Sequence, residues 1–172
     1  MSASATENPF FLKSSLPYEL PPFASIREEH YLPAFEKGMQ EQLAEIDAII
    51  TQSEITFENT IVALEKSGQI LQRVSAVFFN KSSSDTNPQM ETIESEISPK
   101  LSNHSDAIRL NPRLFARIKS LFDNRASANL NPEDLWLLEK YYRDFVHAGA
   151  HLSESDRTRL SALNEQISKL ST

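Results

Sequence analysis

The chain has no cysteine. That excludes disulfides, thiolate nucleophiles and cysteine-ligated zinc, and leaves the redox compartment open. It has only 3 glycines in 172 residues, too few for a glycine-rich phosphate loop or a series of tight turns. No Gly-x-Ser-x-Gly elbow surrounds any serine. No apolar run approaches the ~20 residues that cross a bilayer, so no membrane partner is expected. The polar stretch from Met1 to Asn8 lacks the charged-then-apolar pattern of a secretory signal, and a soluble cytoplasmic protein is the expectation. Bases are scarce as well: 17 against 24 acids, a formal charge of -7. A phosphate backbone is held by clustered Lys and Arg, so no nucleic-acid partner is expected. The densest basic patch is Arg109, Arg113, Arg117 and Lys119. It is interleaved with apolar residues and reads as the solvated face of a helix.

What is present specifies helices. At 40% apolar residues the chain builds a core. Asn87-Pro88, Asn111-Pro112 and Asn131-Pro132 each precede an apolar stripe of helical period. Asn accepts a free first-turn amide and Pro is tolerated where no donor is needed, so each pair predicts a helix start. The fold expected is all-α: a multi-helix, bundle-like lobe without a βαβ unit.

Residues 1–25 hold Pro9, Pro17, Pro21 and Pro22 and read as an extended strap. Phe10, Phe11, Leu12, Leu16, Tyr18 and Phe23 are expected to dock it on the helical lobe formed by residues 26–172. A first helix is expected from about Glu29 to Thr51, starting properly near Tyr31, with Leu32, Phe35, Met39, Leu43, Ile46 and Ile50 inward. Thr56 caps a second helical stretch, which Gly68 divides. Ser82–Thr86 reads as a polar connection, and Pro99 as a bend in the helix after Asn87. Residues 123–130 read as a loop. The helix after Asn131 is apolar nearly all round, and Gly149 fits its left-handed cap. Ser153 caps the last helix, whose stripe of Leu160, Leu163, Ile167 and Leu170 reads as cut before its natural end.

No catalytic constellation is complete. His147 and His151 have the spacing of a helical His-Glu-x-x-His zinc site, but Ala148 stands where the general-base Glu is needed, and Gly149 ends the helix between them. His104 sits on an apolar stripe and reads as a core histidine. Asp106, two residues on, cannot face it. Glu133-Asp134 complements the dipole of a first turn. Glu28-Glu29, and Glu91 with Glu94 and Glu96, read as solvated faces. The expectation is no catalytic residue and no metal ligand here, with substrate-contacting residues unassigned.

Several blocks, in order, carry a resemblance. They are Leu16-Pro17-Tyr18-Glu19 with Pro21-Pro22-Phe23; His30-Tyr31-Leu32-Pro33-Ala34-Phe35-Glu36; and Thr56-Phe57-Glu58-Asn59-Thr60-Ile61. Val74-Ser75-Ala76-Val77-Phe78-Phe79-Asn80, Pro99-Lys100-Leu101, Leu110-Asn111-Pro112, and Tyr141-Tyr142-Arg143-Asp144-Phe145 before Ala148-Gly149-Ala150 complete them. Together they resemble the N-terminal part of the bacterial peptidyl-dipeptidase (dipeptidyl carboxypeptidase) branch of the thimet oligopeptidase family of zinc peptidases. The resemblance implies a truncated piece of a larger helical metallopeptidase that releases C-terminal dipeptides or cuts short peptides. It implies zinc in a downstream catalytic domain, the chain's partner in the same polypeptide, and a narrow channel walled by this lobe. The family's His-Glu-x-x-His motif is absent here, so the chain alone is expected to be inactive. The other reading is a stand-alone helical module that binds a protein partner in a groove.

Overall fold

The computed structural model of the chain describes residues 8–170; the first seven residues of the strap, and the last two of the chain, lie outside the described residues. Among the described residues the regular structure is helical and no strand forms. The helices are α1 (Tyr31–Thr51), α2 (Ala63–Lys66), α3 (Gln69–Ser84), α4 (Pro88–Arg109), α5 (Pro112–Asp123), α6 (Pro132–Ala148) and α7 (Glu154–Leu170). The three Asn-Pro pairs act as their chemistry predicts. The Asn87 Oδ1 accepts the amides of Gln89 and Met90, each at 3.0 Å. Asn111 accepts those of Arg113 and Leu114, and Asn131 that of Asp134. Ser153 caps α7 through the Asp156 amide at 3.2 Å.

The chain forms two compact units, and both α1 and α4 pass from one into the other. The first unit contains residues up to Gln42 and from Gly68 to Ile97. Its centre is aromatic. Phe78 meets Tyr31 edge-on at 5.1 Å and Phe35 at 5.4 Å between ring centroids, and Phe10 lies 5.6 Å from Tyr31. Within the unit α1 buries Tyr31, Ala34, Phe35 and Gly38, whereas Leu32 and Met39 are only half-buried. The inward face is therefore turned from the expected one. The close approach of Gly38 to α3 sets that rotation: a Cβ at Gly38 would lie 2.7 Å from the Leu71 backbone nitrogen. Gly68 divides the helical stretch as expected, with φ +72°, and α3 follows. α3 continues to Ser84, so the polar connection is shorter than Ser82–Thr86.

The strap of the first unit is a series of short 3₁₀ turns joined by extended residues, at Pro9–Phe11, Pro17–Glu19, Phe23–Ser25 and Glu28–His30. Phe10 is buried and Phe11 half-buried. Leu12, Leu16, Leu20 and Phe23 stay exposed, and Tyr18 is 97% exposed. Thus Phe10 anchors the strap, together with the Arg73 guanidinium, which donates to the Phe10 carbonyl at 3.0 Å.

The second unit contains residues Leu43–Ser67 and Ser98–Thr172. Its core joins Ile46, Ile49, Ile61, Leu64, Ile108, Leu114, Phe115, Ile118, Leu138 and Phe145. Leu43, expected inward, is exposed. Residues Glu58–Val62 form a π-helical turn ahead of α2. Pro99 lies inside α4, just past the residue where the helix enters this unit. α6 is less covered than its composition suggests: Leu138 and Phe145 are buried, but Trp136 is 57% exposed. Gly149, at φ +96°, ends α6 in the left-handed conformation, and the Ala150 amide donates to the Phe145 carbonyl at 3.0 Å.

Candidate functional site

The residues singled out by type are dispersed. His147, near the end of α6, and His151, beyond Gly149, are both exposed and share no helix face. Among the described residues no three His, Asp or Glu side chains gather as a metal site. His104 is buried at 7% exposure, and desolvation lowers its pKa, so the ring is neutral near pH 7. Asp106 pairs with Asn164 instead, accepting its Nδ2 at 3.0 and 3.1 Å.

Three assignments of charged residues to solvated faces are corrected. Glu28 is a hub within the first unit: its Oε1 accepts Lys81 Nζ and Asn87 Nδ2, both at 3.3 Å. Its pKa is lowered, first by a backbone hydrogen bond, with Lys81 and Asn87 adding to it against the opposing effect of burial. Glu94 likewise accepts from the Ser82 hydroxyl. The larger correction is Arg117, which is 5% exposed. It follows Leu114 by one helical turn and precedes buried Ile118, so α5 carries it inward.

Arg117 builds a polar cluster in the second unit, around the Thr56–Thr60 block. Thr56 Oγ1 accepts the Asn59 amide at 3.1 Å, and Asn59 Oδ1 accepts the Thr56 amide at 3.0 Å, a reciprocal cap. The π turn then places Thr60, fully buried, beside the guanidinium. Arg117 Nε donates to Thr60 Oγ1 at 3.3 Å and Nη1 to the Gln52 carbonyl at 2.7 Å. Nη2 donates to the Glu54 carbonyl and, at 2.9 Å, to Asn59 Oδ1. Every acceptor is neutral, and desolvation lowers the pKa of the guanidinium. With no reactive group beside it, the cluster works as a clamp on residues 52–60 rather than as a catalytic site. Sequence reading missed it; the available signal was the position of Arg117 on the apolar face of α5.

Tyr141, in the Tyr-Tyr-Arg-Asp-Phe block, donates to Glu65 Oε1 at 2.7 Å. Burial, then the Glu65 carboxylate, push its phenol pKa upward, so it is a fixed donor. A surface depression lies between α4, α6 and α7 of the same unit. It is a groove of about 470 Å³ lined by Asp106, Arg109, His147, Asn164, Leu160 and Ile167 among others. Beyond it the apolar stripe of α7 is open: Leu163 is 45%, Ile167 60% and Leu170 87% exposed.

No protein-family model matches the chain. It is, however, 40% identical over 168 residues to the dipeptidyl carboxypeptidase of Escherichia coli, an alignment covering 97% of this chain and 25% of that protein. The dipeptidyl carboxypeptidase of Salmonella typhimurium is 39% identical over 95% of the chain and 24% of its own length. Oligopeptidase A of Haemophilus influenzae is 26% identical over 89% of the chain. The chain thus spans about a quarter of the length of the relatives it matches. Over nearly its whole length it is related in sequence to bacterial dipeptidyl carboxypeptidases and, at lower identity, to oligopeptidase A.

Proposed function

We propose that this chain is the N-terminal helical region of a zinc-dependent peptidyl-dipeptidase. It walls the channel that admits short peptides and contributes no catalytic or metal-binding residue. The observation that carries this reading is the 40% identity to a dipeptidyl carboxypeptidase along 97% of the chain but only 25% of the relative. The zinc and its His-Glu-x-x-His helix belong, on this reading, to the rest of the polypeptide, since this chain matches only about a quarter of the length of its relatives. The lobe's own work is binding and exclusion. The clamp on residues 52–60 fixes one wall, and the open stripe of α7 supports packing against the remaining domain.

Reading the gene past the codon for Thr172 tests this. A frame that continues to a His-Glu-x-x-His segment supports it. A stop codon there leaves a self-contained interaction module and overturns it. The purified 172-residue chain is expected to leave a blocked tripeptide intact with or without added zinc; zinc-dependent cleavage would remove the scaffold role.

A further inference from the structure

We propose that the outer face of the strap in the first unit is a docking surface for a later part of the same polypeptide, which packs apolar side chains around Tyr18 and brings an Asp or Glu to Arg73. The proposal rests on the reading above that the polypeptide continues past Thr172. Leu12, Leu16, Tyr18, Leu20 and Phe23, all within residues 12–23, are 44–97% exposed. A single exposed apolar side chain is ordinary, but a run of five marks an interaction surface. The strap is nevertheless held in shape. The Ser14 hydroxyl donates to the Leu20 carbonyl at 2.6 Å, Lys13 pairs with Glu19 at 2.7 Å, and the Glu19 amide donates to the Leu16 carbonyl at 3.0 Å. Within this turn Tyr18 and Glu19 both stand at φ +57°, in the left-handed region that residues with a side chain disfavour. The unit gains no packing from Tyr18, which is 97% exposed. Strain of this kind is held where a contact needs the geometry.

Charge points the same way. Between the strap and α3 lies a cavity of about 280 Å³, lined by Phe10, Leu12, Glu19, Pro21 and Arg73 among others. Arg73 is half-buried; its Nη2 donates to the Phe10 carbonyl at 3.0 Å, and its Nε is buried with no acceptor. Among the described residues no carboxylate pairs with this guanidinium, and Glu19, in the same lining, is held by Lys13. A half-buried cation without a counter-ion is satisfied by an acid from outside, and the planar fork suits a carboxylate. The occupant follows from length. The alignment with the Escherichia coli dipeptidyl carboxypeptidase takes in 97% of this chain, and so the strap, but only 25% of that protein. About three quarters of such a polypeptide has no counterpart here, ample to cover the face. The strap belongs to the first unit and the α7 stripe to the second, so the two surfaces are tested separately.

The test is hydroxyl-radical footprinting of the full-length gene product and of the 172-residue chain, read by mass spectrometry. Reactivity follows accessible area, so Tyr18, 97% exposed in this chain, should react about tenfold more slowly once it enters an interface core in the full-length protein. Leu20 and Phe23 should be protected with it. Tyr18→Gly relieves the left-handed strain, so it should leave the unfolding temperature of the 172-residue chain unchanged or raise it, while lowering that of the full-length protein. For the acid, Arg73→Lys in the full-length protein is treated with a water-soluble carbodiimide. An amide between position 73 and an Asp or Glu beyond Thr172 is expected; coupling confined to Glu19 or other acids of residues 1–172, or no coupling, overturns the acidic contact. Equal reactivity of Tyr18 in the two proteins overturns the docking surface. Protection that needs added peptide, or that rises with protein concentration, also overturns it and assigns the face to a substrate or to a second copy. A reading frame that stops at Thr172 removes the peptidase reading and this surface together. A frame that continues, with Tyr18 still reactive, removes this surface alone.

Discussion

Arg117 and Thr60, 57 residues apart in sequence, are joined inside the second unit by a hydrogen bond of 3.3 Å from Nε to Oγ1. Three further donations from the same guanidinium reach the Gln52 and Glu54 carbonyls and Asn59 Oδ1. This geometry explains why Thr, Asn and Thr stand at positions 56, 59 and 60. Two of them close a reciprocal cap, and Asn59 and Thr60 also receive the cation. A buried charge without a counter-ion is costly unless hydrogen bonds satisfy it.

Replacement of Arg117 should therefore be far more damaging than replacement of Arg113, which is exposed and whose guanidinium donates to the Ile50 carbonyl at 3.3 Å. Arg117→Met removes the donors and strands their acceptors, at a cost of about 2–4 kcal/mol. Arg117→Lys retains the charge but lacks the planar fork, and should recover only part of that. Urea unfolding of both variants measures the loss. Faster hydrogen exchange should concentrate in residues 52–60. Equal stability of Arg117→Met and Arg113→Met would show that the clamp is idle.

The extent to which sequence disclosed this fold follows from how local each signal is. Asn-Pro caps are decided by neighbouring atoms, and α4, α5 and α6 start at Pro88, Pro112 and Pro132 as those pairs predict. The rotation of α1 is not local. Leu32, Met39 and Leu43 are as apolar as the residues actually buried, and the choice falls to Gly38, whose missing side chain admits the α3 backbone. Arg117 was only half legible: its place on the apolar face of α5 points inward, but its partners do not show in the sequence. Its burial depends on carbonyl groups at Gln52 and Glu54, remote in the chain, and charge patterning carries no trace of them. The strap was legible as proline-rich but not as 3₁₀ turns, because proline fixes φ and leaves the following torsion to packing.

Gly38 supplies a second test. An added Cβ would sit 2.7 Å from Leu71 N and 2.9 Å from its Cα, both backbone atoms that cannot rotate away. Alanine is ordinarily the better helix former, so Gly38→Ala on a free helix should stabilise by about 0.5–1 kcal/mol. Here the clash should reverse the sign and cost about 1–3 kcal/mol. Thermal unfolding of the variant decides between the two signs.

Glu28 predicts a pH dependence. Its folded pKa lies below the usual 4.5, set first by its backbone hydrogen bond and then by Lys81 and Asn87. A carboxylate with a depressed folded pKa stabilises the native state above the unfolded value. That contribution is lost as pH falls through the folded value, below 4.5. Its side chain is 28% exposed, so the effect should be under about 1 kcal/mol. Glu28→Gln should flatten the acid limb of the stability profile and change little at pH 7 beyond that small loss. An unchanged acid limb would remove Glu28 from the argument.

The apolar stripe of α7 makes the prediction that bears most directly on the scaffold reading. Leu163, Ile167 and Leu170 are 45%, 60% and 87% exposed, so little of their hydrophobic area contributes to stability in the described chain. Ile167→Glu should therefore change unfolding stability by no more than about 0.5 kcal/mol. The same open stripe should bind a hydrophobic dye such as anilinonaphthalene sulfonate, and the substitution should reduce that binding. If the stripe packs against the remaining domain, the substitution in the full-length protein should instead destabilise, because a charge then enters a buried apolar contact. A variant equally benign in both settings would place the downstream domain on some other face of the lobe. A variant that unfolds the 172-residue chain would show that the α7 stripe is already internal to this unit.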